Sequence, residues 1–134
     1  MEVLPKVELH LHLDCSLSYQ VVRQLNSNIT EDEYRGNFIA PRRCSSLAEY
    51  LTRAPHAIRL MQSKDALKLV VEDMFEQLAA DNIIYVELRY GPLLHLDEGL
   101  TPERLLERRA SGRHYVNWRL RGLDMEFAVL RIRS

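Results

Sequence analysis

From Val7 to Leu13 apolar and polar residues alternate without a break, Val7, Leu9, Leu11 and Leu13 on one side and Glu8, His10 and His12 on the other. A period of two predicts a strand, and Pro5 just ahead of it suits a strand entry. Ser16 or Ser18 is placed to cap a short helix through Val21, Val22 and Leu25. The polar stretch Asn26–Arg43, broken by Gly36 and Pro41, reads as loop with a helical turn near Glu31–Tyr34. Ser46-Leu47-Ala48-Glu49 has the form of a capping box, and Leu47, Tyr50, Leu51, Ala54, Ile58 and Met61 follow at helical spacing, with Pro55 set to divide the stripe. Ser63 opens a further helix whose buried side is Leu67, Val70, Val71, Met74, Phe75 and Leu78. Ile83–Tyr90 is rich in strand formers and stops at Gly91-Pro92; Thr101-Pro102-Glu103 reads as a helix start running weakly through Leu105 and Leu106; Met125–Ile132 reads as a third strand. Strand, helices, strand, helix, strand predicts an α/β fold with about three parallel strands and helical crossovers.

The first strand carries the chemistry. Residues two apart on a strand leave the same face, with Cβ atoms roughly 6.5–7 Å apart. The imidazoles of His10 and His12 are therefore able to converge on one ion at about 2.0–2.1 Å each, and zinc suits imidazole. The plain alternative is two solvated histidines on the wet face of an edge strand. Position favours the first reading: Asp14 and Cys15 follow at once, where a parallel strand ends, and that end hosts sites in α/β barrels.

Composition narrows the field without choosing within it. With 46% hydrophobic and 28% charged residues in 134, the chain reads as one soluble globular domain. A net charge of −1 supplies no field for nucleic acid or an anionic membrane. Two cysteines, Cys15 and Cys44, make no disulfide framework, and Met1–Leu13 lacks an apolar signal core, so the default location is the cytoplasm. There is no glycine-rich phosphate loop and no nucleophile elbow. Arg104–Arg121 is arginine-rich and reads as a solvated helix face; His56 and His114 read as surface residues, and His95 falls near the mouth with nothing tying it to metal.

The run Pro5-Lys6-Val7-Glu8-Leu9-His10-Leu11-His12-Leu13-Asp14-Cys15-Ser16-Leu17 closely resembles the opening signature of the adenosine deaminase family. Tyr85-Val86-Glu87-Leu88-Arg89-Tyr90-Gly91-Pro92 resembles that family's second-strand segment, and Leu100-Thr101-Pro102-Glu103 its next helix start. The resemblance implies that residues 1–134 are the N-terminal portion of a TIM (β/α)8 barrel, an architecture of about 250 residues. It implies one Zn2+ held in part by His10 and His12, a purine nucleoside contacted by His12 and Asp14, and hydrolytic deamination of adenosine or deoxyadenosine to inosine. Cys15 stands where the family usually has glycine. The family's proton-handling glutamate and its further ligands have no counterpart here, so no catalytic residue is assigned within the chain and the fragment alone is expected to be inactive. Another aminopurine substrate, or a non-catalytic remnant of the fold, are the competing readings. Leu47, Tyr50 and Leu51 are open to two roles, core packing or an apolar wall for a purine, and Glu87 and Arg89 are read as structural. A last strand with no neighbour is expected to leave an open sheet edge able to self-associate.

Overall fold

The computed structural model describes residues 4–101, 114–119 and 126–132. The order is β1 (Lys6–His12), a 3-10 turn (Leu13–Cys15), α1 (Tyr19–Leu25), α2 (Glu31–Phe38), α3 (Leu47–Leu51), α4 (Ala54–Leu60), α5 (Lys64–Ala80), β2 (Ile83–Tyr90), a second 3-10 turn (Pro92–Leu94), β3 (His114–Arg119) and β4 (Glu126–Ile132).

Local signals account for the helices. Ser18, Thr30, Ser46 and Ser63 each accept the backbone N–H three residues on, satisfying one of the donors a helix start leaves open. At Thr30 the box is complete, Glu33 reaching back to the Thr30 N–H, and it starts a helix of eight residues where the sequence reading expected mostly loop. At Ser46 the box is only half made: Ser46 accepts from Glu49 N, but the Glu49 carboxylate takes the N–H of Ser45 instead. Pro55 does divide the stripe, since α4 restarts with it in its first turn, where a missing N–H costs nothing. On α5, Ala66, Val70, Met74 and Leu78 recur every four residues and form the buried stripe.

β1 and β2 pair in parallel, joined by the helical crossover α1–α5. Along β2 alternate residues Val86, Leu88 and Tyr90 are buried against the helices, with Leu13, Val21, Val22, Met61, Val70 and Met74 completing one core. Covering such a side chain contributes about 1.5–3 kcal/mol. On β1 only the carboxyl half of the apolar face is covered, by way of Leu11; Val7 and Leu9 remain exposed.

The far side of the sheet departs from expectation. Its order is β1-β2-β4-β3, and β4 runs antiparallel to both β2 and β3. The third strand is thus present but not parallel. Six residues separate β3 from β4, too few for the crossover a parallel pair needs, so the two form an antiparallel pair, and it is β4 that docks on β2. His114–Arg119, read as part of a solvated helix face, is a strand: Tyr115, Val116 and Trp118 prefer extended backbone. The last strand is not an open edge; β1 and β3 are the edges. The helix expected through Leu105 and Leu106 lies outside the described residues. No described helix is long and apolar enough to cross a membrane.

Candidate functional site at the carboxyl end of the first strand

The β1–β2 ladder is irregular where the histidines lie. Glu8 pairs with Val86 and Leu11 with Leu88, three steps on β1 against two on β2. A bulge re-aims side chains, and these are rare in parallel pairs. Within it the His10 N–H turns to the Glu8 carboxylate at 2.9 Å. The two rings then close on each other, centroids 5.0 Å apart and Nε2 atoms 3.0 Å apart. Two nitrogens bound tetrahedrally to one ion at about 2.0–2.1 Å are roughly 3.3–3.4 Å from each other. The pair therefore fits a shared cation with little adjustment, and neutral imidazole is the right donor. Among the described residues no third His, Cys, Asp or Glu joins them in a metal-holding group.

Asp14 sits in the turn that follows. Its Oδ1 lies 3.8 Å from His12 Nδ1, is buried, and has no hydrogen-bond partner. A buried carboxylate oxygen without a donor is costly, and it fits a hydroxyl or N–H brought by a ligand. The turn is braced from three sides. Ser16 Oγ donates to His12 O at 2.5 Å, Gln77 Nε2 to Ser16 O at 2.8 Å, and Tyr34 Oη to Leu17 O at 2.9 Å. Ser18 donates through N and Oγ to Asp73, at 3.1 and 2.5 Å. Asp73 and Gln77, one turn apart on α5, had only helical periodicity to mark them, and a polar residue facing another element leaves no local sequence signal.

Cys15 is exposed by area, yet crowding about its sulfur, then the Asp14 carboxylate, pushes the thiol up to about 11, against a hydrogen bond with Tyr50. Tyr50 belongs to α3, whose Leu47, Tyr50 and Leu51 are all exposed rather than packed in the core. These apolar side chains project from a helix joined to the site by the Cys15–Tyr50 contact. Glu87 accepts from Tyr85 Oη at 3.1 Å.

His56, expected at the surface, differs from expectation, and His95, expected near the mouth without a tie to metal, is buried. His56 is half-buried, its Nδ1 3.1 Å from Arg59 and its ring 6.1 Å from Phe38. His95 is 1% exposed, with Nδ1 3.0 Å from Met61 O and its ring 6.1 Å from Tyr90. Burial lowers its pKa, opposed by the Met61 carbonyl and by the nearby Asp14 carboxylate. A cavity of about 310 Å³ between α2 and α4, lined in part by Asn28, Asn37, His56 and Arg59, shares no residue with the histidine pair.

The fold and site together define an α/β protein with paired imidazoles and a carboxylate at the carboxyl end of its first parallel strand. The sequence matches the family described as Adenosine deaminase over residues 5–120. It is 37% identical over 120 residues to the adenosine deaminase of Shewanella halifaxensis, covering 83% of this chain and 36% of that protein. It is 39% identical over 115 residues to that of Lactococcus lactis (81% and 33% covered) and 35% identical over 133 residues to that of Streptococcus thermophilus (95% and 38% covered). No solved structure matches the chain. The chain belongs to the adenosine deaminase family, and it spans about a third of the length of these curated relatives.

Proposed function

We propose that the protein carrying this chain is a zinc-dependent hydrolase that deaminates adenosine or deoxyadenosine to inosine, and that residues 1–134 form the opening portion of a TIM barrel. The observation that carries the reading is the 3.0 Å approach of the His10 and His12 Nε2 atoms beside Asp14, within a family member. His10 and His12 are the residues that would hold the zinc. A bound zinc ion supplies activation of water near neutral pH.

The chain's own residues bind and orient. His12 meets both the cation and the nucleoside. Asp14, its Oδ1 buried without a donor, takes a sugar hydroxyl. The exposed Leu47, Tyr50 and Leu51 form an apolar wall against a purine ring. Cys15 narrows the space beside Asp14 that the family glycine leaves open. The group that moves protons is not among these residues, and the 134-residue chain alone, in which no third ligand joins the two histidines among the described residues, holds zinc weakly and turns over no adenosine. The small purine nucleoside is the partner; nothing in the site suits nucleic acid.

Chromatographic assay of adenosine and inosine with the full-length protein tests this. His10→Ala and His12→Ala are each expected to lower turnover by about 100-fold or more together with loss of bound zinc. Asp14→Ala is expected to raise KM by roughly 10–100-fold, equivalent to about 1.4–2.7 kcal/mol of lost binding. Unchanged zinc content in both histidine variants would sink the metal assignment, and turnover by the purified 134-residue chain would sink the statement that it is incomplete.

A further inference from the structure

Two polar side chains are buried among the described residues, Gln62 and His95, and they work on the same junction. His95 Nδ1 lies 3.0 Å from Met61 O. A carbonyl only accepts, so the imidazole proton sits on Nδ1. Gln62 Nε2 donates to Ile58 O and to Leu94 O, both at 2.8 Å, and Gln62 Oε1 accepts from Asp97 N at 3.0 Å. Three of these hydrogen bonds join the loop after β2 to the end of α4 across more than thirty residues of sequence: His95 with Met61 O, Gln62 with Leu94 O, and Asp97 N with Gln62 Oε1. α4 in turn packs on the Leu13–Cys15 turn that carries Asp14, as does β2.

We propose that His95 and Gln62 are positioning residues of the site: a buried polar bracket that locks residues 91–97 to the end of α4 and so holds the wall against which the Asp14 turn rests. The Gln62 bonds satisfy the loop's Leu94 carbonyl and Asp97 N–H, the His95 bond satisfies the Met61 carbonyl at the end of α4, and each fails if its side chain is replaced by an apolar one of similar volume. The elements the bracket ties together, α4 and the end of β2, both pack on the turn that carries Asp14, and the Asp14 carboxylate acts electrostatically on the His95 ring. Its effect on turnover rests on the reading of Asp14 as a nucleoside contact; its effect on the turn does not.

The test uses the full-length protein, with His95→Phe, His95→Asn, Gln62→Leu and Asp14→Ala, measured for adenosine kinetics and for backbone hydrogen exchange without substrate. His95→Phe and Gln62→Leu are expected to raise KM at least tenfold with kcat held within threefold. His95→Asn, which keeps a donor for Met61 O, should recover most of the loss. His95→Phe should add little on top of Asp14→Ala, because both act through one carboxylate. Exchange at residues 91–97 and 13–16 should quicken together in His95→Phe and not in His95→Asn. Overturning results are kcat and KM moving together in equal proportion for Phe and Asn, full multiplication of the His95→Phe and Asp14→Ala effects, or unchanged exchange at residues 13–16. If the parent protein does not deaminate adenosine, the functional reading fails by itself. The exchange experiment then decides the bracket, joint quickening upholding it and an unmoved 13–16 turn overturning it.

Discussion

At the scale of single residues the carboxyl end of β1 brings His10, His12, Asp14 and Cys15 close together, each with a different constraint. The chemistry of Cys15 is set by its neighbours. With its thiol raised from an ordinary 9.0 to about 11, the reactive thiolate at pH 8 is reduced roughly 100-fold. Alkylation with iodoacetamide at pH 8, followed by peptide mass spectrometry, is expected to modify Cys15 about two orders of magnitude more slowly than an unshifted thiol. Asp14→Asn, removing the adjacent charge, should speed it. Labelling at the rate of a free cysteine would show that the crowding about Cys15 is not maintained in solution. Asn82 illustrates another single-residue constraint: it holds φ 55 after α5, a left-handed conformation that asparagine tolerates better than most residues, and its carbonyl accepts the N–H that opens β1.

At the scale of elements, what could be read ahead was whatever repeats along the chain. The alternation of β1, the capping serines at 18, 46 and 63, the stripe of α5 and the break at Pro55 are all local, and each appears where the pattern sets it. The complete box at Thr30 was missed because Gly36 and Pro41 drew the stretch toward loop, although its Thr-x-x-Glu spacing was present. The braces across elements had no such signature. Ser18 is capped in both directions, accepting from Val21 N while donating to Asp73 on α5, a residue 55 positions away. Ser18→Ala is therefore expected to destabilise the chain by about 1–2 kcal/mol, a helix cap and a polar tie lost together. Asp73→Ala should cost a similar amount, and the double variant distinctly less than the sum. Chemical denaturation of the four proteins measures this; strict additivity would mean that the tie contributes nothing.

At the scale of the whole molecule the sheet is where sequence order misled. Three strand-like segments separated by helical ones suggested three parallel strands, and only β1 and β2 run that way. Strand direction depends on which neighbour is free to pair, and β3 occupied a segment whose arginines had suggested a helix. The close approach of His10 and His12 was readable because it is carried by two residues of one strand, whereas the bracket of Gln62 and His95 joins residues that only the packed core brings together. That bracket also gives the fold a pH dependence. Burial holds the His95 pKa below its ordinary 6.5, so below that value the unfolded chain takes up a proton that the folded chain resists. Stability should be level above pH about 6.5 and fall as pH drops from there toward the folded pKa. Glu33, lowered from 4.5 by hydrogen bonds from Thr30, and Glu49, lowered by those from Ser45, add a separate loss only below about pH 4.5. Thermal melts of the chain and of His95→Asn across pH 4–8 should converge in the upper range, the parent alone declining in the first window. An identical profile for both would remove His95 from the account.

The bulge in β1 sets the spacing of the two imidazoles early in the chain. The approach of the two imidazoles is set by the Glu8–Leu11 bulge against β2 and by the Glu8 carboxylate on the His10 amide. If His10 and His12 hold zinc as proposed, the two imidazoles would stand ready as soon as β1 has docked on β2, ahead of the remaining ligands.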